Sequence, residues 1–93
     1  MITAIVSIIV DGRLIPEVAE QVVDIPAVDQ VYSVTGDVDL IAVVRVREHE
    51  ELAAVIADRI GKVEGVLDTT TNIAFKTYSK TDLDAAFDLG IDG

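Results

Sequence analysis

One pattern occurs twice in this chain, and it leaves few folds open. Ile2, Ala4, Val6 and Ile8 recur as Leu40, Ala42, Val44 and Val46, an offset of 38 residues (2 to 40). Leu14, Val18, Ala19 and Val22 recur as Leu52, Ile56, Ala57 and Ile60, and Ile25 and Val28 as Val63 and Val66. The first set alternates with the period of a strand, the second follows helical spacing, and the third opens another strand. The match is one of apolar periodicity rather than identity. It fits a duplicated unit or a shared architecture equally.

Strand, helix, strand, twice over, predicts the order βαββαβ. With right-handed crossovers both helices fall on one face of a four-stranded antiparallel sheet. The expected fold class is therefore α+β, ferredoxin-like. The first helix is predicted over residues 13–24, with Pro16 in its first turn, where a missing N–H costs little. The second is predicted over residues 49–60, with Glu48, Glu50 and Glu51 at its positive end and Gly61 as its stop. The last strand is predicted over residues 67–79. Residues 1–80 make one domain. Residues 81–93 make a short helical tail: Thr81 and Asp84 fit a capping pattern, Leu83, Ala86, Phe87 and Ile91 form an apolar stripe, and Gly90 ends it. That stripe packs on its own domain or on a neighbouring subunit.

The sheet face away from the helices would carry Thr3, Ile5, Ser7 and Ile9 with Ile41, Val43, Arg45 and Arg47. An antiparallel sheet with one wet face should alternate apolar with polar residues, and this face stays largely apolar. The chain is 51% hydrophobic with mean hydropathy +0.46, rich for 93 residues. Small domains leave much of their surface exposed, so a second sheet from another copy is expected to cover this face.

Seventeen acidic residues against seven Lys and Arg give a net charge of −10. Affinity for phosphate backbones needs clustered cations, so nucleic acid is not an expected partner, and anionic membranes are disfavoured for the same reason. The apolar run over residues 5–10 is too short for a span and is broken by Ser7. With no cysteine there is no disulfide, thiolate or Cys-based metal chemistry, which fits a cytoplasmic protein. No cofactor loop, zinc pattern or catalytic triad is present. His49, in an acidic helix start, reads as a surface or capping residue.

The chemistry concentrates in Thr35-Gly36-Asp37-Val38-Asp39, between two apolar runs that read as strands joined by a tight Gly-Asp turn. Two readings of this tip stand side by side. Gly-Asp is ordinary turn chemistry. Equally, carboxylates and free backbone amides close together can hold the ammonium and carboxylate of a free amino acid.

The run from Val31 to Leu40 resembles the ligand-sensing domain of Lrp/AsnC-type transcriptional regulators, where a strand ends in Thr/Ser-Gly-Asp and an Asp follows two residues on. Val63-Glu64-Gly65-Val66 followed by Asp68-Thr69-Thr70-Thr71 is similar to that family's helix exit and last strand. Ile25-Pro26-Ala27-Val28 resembles its first helix exit. The resemblance covers residues 1–80 and starts at the first strand of the sensing domain, as in members without a helix-turn-helix domain. It implies a dimeric α/β-barrel arrangement, a homodimer assembling further into a ring of dimers, and a small effector, commonly an amino acid, bound near contacts between dimers. It implies effector-side roles for Thr35, Gly36, Asp37 and Asp39, and for Thr69, Thr71 and Asn72 on the opposing strand. Those threonines also suit a strand by β-propensity alone. Two further functions remain open: a small cofactor-free oxygenase or isomerase of the same architecture, and a scaffold that only assembles or pairs with full-length family members.

Overall fold

The computed structural model describes residues 1–80; the expected tail helix lies outside the described residues. Strand β1 spans Ile2–Val10, helix α1 Ile15–Val23, β2 Val28–Ser33, β3 Leu40–Val46, and β4 Val66–Ile73. Helix α2 begins as Ile-free α-turns over His49–Ala53, widens to a π-helix over Ala54–Arg59, and ends in a 3-10 turn over Ile60–Lys62. The sheet order is β2-β3-β1-β4 with every neighbouring pair antiparallel. This is the ferredoxin-like arrangement expected from the repeat.

Alternation explains the two central strands. Ala4, Val6, Ile8 and Val10 of β1 lie beside Leu40, Ala42, Val44 and Val46 of β3, and all eight are buried. Val18 and Val22 of α1 and Leu52 and Ile60 of α2 close the core from above. Burying each Val, Leu or Ile of this set contributes about 1.5–3 kcal/mol. No polar or charged side chain is buried among the described residues, and no described helix is long and apolar enough to cross a membrane.

Helix α1 starts at Ile15 rather than at residue 13, because Gly12–Leu14 forms a 3-10 turn. Asp11 caps that turn: its carboxylate accepts the Arg13 N–H at 3.0 Å and pairs with the Arg13 guanidinium at 3.0 Å. Pro16 sits in the first turn of α1 as expected.

The π segment of α2 has a packing reason. An α-helix turns about 100° per residue, which would carry Ile60 roughly 80° round from Leu52. A wider turn reduces that offset, and both residues are buried. The Ile60 N–H donates to the carbonyls of both Ile56 and Val55, which marks the widening. The chain then turns at Gly65 rather than Gly61. Gly65 has φ +101°, and a Cβ there would stand 2.9 Å from Val18 Cγ2. Its carbonyl accepts the Asp11 N–H at 2.8 Å, tying the ends of β1 and α2 together.

Strand β4 stops at Ile73, well short of residue 79. It runs antiparallel to β1 with Ile73 opposite Ala4, and β1 itself begins at Ile2. The Ala74 N–H still donates to the Thr3 carbonyl at 2.9 Å, but beyond that the chain outruns its partner strand.

The register places Thr3, Ile5, Ser7, Ile9, Ile41, Val43, Arg45, Gln30, Tyr32, Asp68, Thr70 and Asn72 on the face away from the helices. Arg47 lies past the end of β3. Arg45 pairs with Asp29 at 3.0 Å, both side chains being about half exposed.

Candidate functional site

The connection between β2 and β3 is wider than a two-residue turn. It takes residues 34–39 and is closed at its base by the Val34 N–H donating to the Asp39 carbonyl at 3.0 Å. Asp39 is the reason. Its own N–H donates to the Ile8 carbonyl at 3.0 Å, and its carboxylate accepts the Val10 N–H at 2.8 Å. Both bonds extend the β1–β3 contact past Leu40, the residue with which β3 begins. The loop above them is free to project. Thr35, Gly36 and Asp37 are exposed, Val38 and Asp39 half-buried. Gly36 has φ +109° with nothing within 4 Å of a Cβ placed there, so its amide can be approached closely.

The seven residues singled out from the sequence do not form one cluster within a protomer. Thr69 lies opposite Ile8, on the same cross-strand line as Leu40. Two strand spacings, about 10 Å, separate it from the base of the loop. Its own N–H donates to the neighbouring Asp68 carboxylate at 3.0 Å. Thr71 lies opposite Val6 and Asn72 opposite Ile5, further from the loop with each residue. Thr69 and Thr71 share the half-buried helix side, whereas Asn72 is exposed on the open face. A ligand touching the loop and Asn72 together would therefore need a second copy to bridge them.

Two grooves flank α2, and neither is lined by any of these seven residues. One, of about 370 Å³, lies between the α1 exit (Ile25, Pro26, Ala27) and the outer side of α2, including Glu51 and Asp58. The other, of about 420 Å³, lies between α2 and Ile73 of β4. Neither was visible in the sequence, because each depends on how α2 sits over the sheet. Among the described residues no group of three His, Cys, Asp or Glu could hold a metal ion. The carboxyl of Asp11 is held below the usual carboxylate range by its hydrogen bonds from the Arg13 side chain and backbone. It caps a turn and lies outside the loop.

The Lrp/AsnC ligand binding domain model matches residues 3–83 of the sequence. The chain belongs to the Lrp/AsnC ligand-binding domain family. It is 36% identical over 80 residues to the HTH-type transcriptional regulator FL11 of Pyrococcus furiosus, covering 86% of this chain and 52% of that one. The chain thus spans about half the length of the curated relatives it matches. A solved structure from Thermus thermophilus superposes with TM-score 0.81 at 42% identity, covering 86% of this chain and all of the other. A feast or famine regulatory protein of M. tuberculosis, solved in complex with L-methionine, superposes with TM-score 0.71 at 27% identity, over 86% of this chain and 54% of that one.

Proposed function

We propose that this Lrp/AsnC domain is a non-catalytic effector-binding and assembly module that takes a free amino acid at the Thr35–Asp39 loop, near a contact between subunits. The observation that carries this reading is the loop itself: an exposed glycine amide and an exposed carboxylate, anchored to the sheet through Asp39. The likeness to a regulator solved with L-methionine supports an amino acid as the ligand class. In this reading Asp37 holds the ammonium, because the Asp39 carboxylate is already engaged by Val10. Amides around Gly36 receive the ligand carboxylate, and Thr69, Thr71 and Asn72 contribute from a neighbouring copy.

Assembly through the open sheet face has electrostatic support. Six of the described acidic residues, Glu17, Glu20, Asp24, Glu50, Glu51 and Asp58, stand exposed on the two helices. The open face carries Arg45 and Asp68, with Asp29 paired to Arg45. Two copies of a chain of charge −10 can approach through that near-neutral face with the least repulsion. Binding rather than turnover fits the space between sheet and helices, which is filled by aliphatic core.

A thermal-shift screen of free amino acids on the full chain tests the ligand. A ligand at a hundred times its Kd stabilises by about 2.7 kcal/mol, a readily measured rise in Tm. No shift with any amino acid overturns the reading, and conversion of the ligand overturns its non-catalytic part.

A further inference from the structure

Among the described residues the core holds no aromatic side chain; it is built of Val, Ile, Leu and Ala. The sequence has two Phe and two Tyr, and the three that fall in the described residues all stand in solvent. Tyr32 is 51% exposed, Tyr78 77% and Phe75 101%. Aromatic rings are the side chains most enriched at the anchor points of protein interfaces. Phe75 and Tyr78 share one short segment, residues 74–80, which leaves the sheet after the Ala74–Thr3 bond and makes no strand of its own.

Charge sets this segment apart as well. Its sequence, Ala-Phe-Lys-Thr-Tyr-Ser-Lys, contains Lys76 and Lys80 and no acid, in a chain with 17 acidic and 7 basic residues. The Lys76 ammonium lies 5.1 Å from the centre of the Tyr78 ring, so cation and aromatic are presented together. A cationic, aromatic arm needs an apolar recess edged by carboxylates. The groove between the α1 exit and α2 has that character. Ile25, Pro26 and Val55 line it, with two carboxylates, Glu51 and Asp58, against one guanidinium, Arg59. Its volume of about 370 Å³ is ample for one aromatic ring. The groove beside Ile73 has no carboxylate in its lining and matches the arm less well.

We propose that residues 74–80 dock into the Glu51/Asp58 groove of a second copy of this chain, with Phe75 as the anchor and Lys76 facing the carboxylates. The arm and the groove are different surfaces, so the contact is head-to-tail. Contacts of that kind close into rings when the rotation between copies permits. The inference goes beyond the effector reading and does not need the loop site. It supplies a second contact, distinct from the open sheet face.

The chain contains no cysteine, so engineered thiols report cleanly. Full-length Phe75→Cys chains are mixed with full-length Ala54→Cys chains and oxidised. Docking predicts disulfides between the two kinds of chain, formed in preference to disulfides within either kind. Sedimentation on Lys76→Glu should show association weakened at least tenfold. Mixing Lys76→Glu with Glu51→Lys/Asp58→Lys chains should restore it, since the repaired pair exists only between copies. The proposal is overturned by no mixed disulfide with association unchanged in Lys76→Glu. It is equally overturned if a Phe75→Cys/Ala54→Cys double variant closes only within one chain. Ile41→Asp separates this contact from the sheet-face reading: it removes the latter and leaves the mixed disulfide.

Discussion

The Asp39 carboxylate accepts the Val10 N–H at 2.8 Å, joining the root of the β2–β3 loop to the far end of β1. The two residues lie 29 positions apart, and the bond is partly buried. It gives an acidic residue of the family-like motif a structural task. A hydrogen bond to a charged partner contributes about 1.5–3 kcal/mol. In a domain of this size each kcal/mol corresponds to roughly 4–8 °C in Tm. Asp39→Ala should therefore lower Tm by about 6–24 °C, while Asp39→Asn, which keeps an acceptor oxygen, should lose less. Thermal denaturation of the full-length variants checks this. An unchanged Tm in Asp39→Ala would release that carboxylate for ligand binding.

Asp37 should behave in the opposite way. It is exposed at the loop tip and can change without disturbing the sheet. If it holds the ligand ammonium, Asp37→Ala leaves Tm within error and weakens binding about 10- to 150-fold, the equivalent of about 1.5–3 kcal/mol. Calorimetry with the amino acid found by thermal shift decides. Equal affinities in wild type and variant would remove Asp37 from the site.

What could be read from the chain divides along physical lines. The paired strands β1 and β3 were legible because one face is apolar at every second residue, and a register slip would expose all of it. The helices were legible for the same reason at helical spacing, though not the π widening, which answers to the burial of Ile60 against the sheet. The loop is wider than the tight turn its Gly-Asp suggests, because the bonds that set its width come from Ile8 and Val10, remote in sequence. The end of β4 is not legible in the chain, because a strand ends where its partner ends, and Phe75 to Ser79 keep strand-like composition without one. Thr71 and Asn72 fall on opposite faces of β4, because alternation sends adjacent strand residues to opposite sides.

The two glycines with positive φ among the described residues, Gly36 and Gly65, should respond differently to the same change. Gly65→Ala adds a methyl 2.9 Å from Val18 Cγ2 and 3.1 Å from Leu14 Cδ1, in a backbone conformation that already disfavours L-residues. Overpacking costs about 1–3 kcal/mol, and the left-handed conformation about 1–2 more. Gly36→Ala meets no neighbour and bears only the second cost. Urea denaturation should rank Gly65→Ala well below Gly36→Ala in midpoint. The reverse ranking would mean that the Gly65 turn does not pack on α1 as described.

Asp11 should report on acid sensitivity. Its carboxyl pKa is lowered from 3.8 by its bonds to Arg13. A depressed folded pKa contributes stability that is present above the unfolded value and lost as pH falls through the folded one. The loss therefore belongs below about pH 4. The pair lies at the surface, with the Arg13 side chain in solvent, so the effect is small and screened by salt. NMR titration should place the Asp11 midpoint below 3.8 in wild type and return it toward 3.8 in Arg13→Ala. A midpoint unmoved by Arg13→Ala would assign the shift to something other than the cap.

The open sheet face yields the last prediction. Ile41 pairs with Ser7 on one side and Tyr32 on the other, at the middle of that face and away from the core. A carboxylate at this position disturbs no buried side chain of its own protomer, because Ile41 is only half-buried and its neighbours in the strand, Leu40 and Ala42, face the helices. If a second copy covers the face, Ile41→Asp places two like charges close together in a desolvated interface. Like-charge juxtaposition of that kind costs several kcal/mol, enough to raise the dimer dissociation constant by more than a hundredfold. The monomer should keep its far-ultraviolet circular dichroism. Light scattering over a dilution series distinguishes the cases. A folded Ile41→Asp chain with the mass of wild type at every concentration would mean that the sheet face is not where two copies meet, and that assembly has to be sought at the arm and the α2 groove.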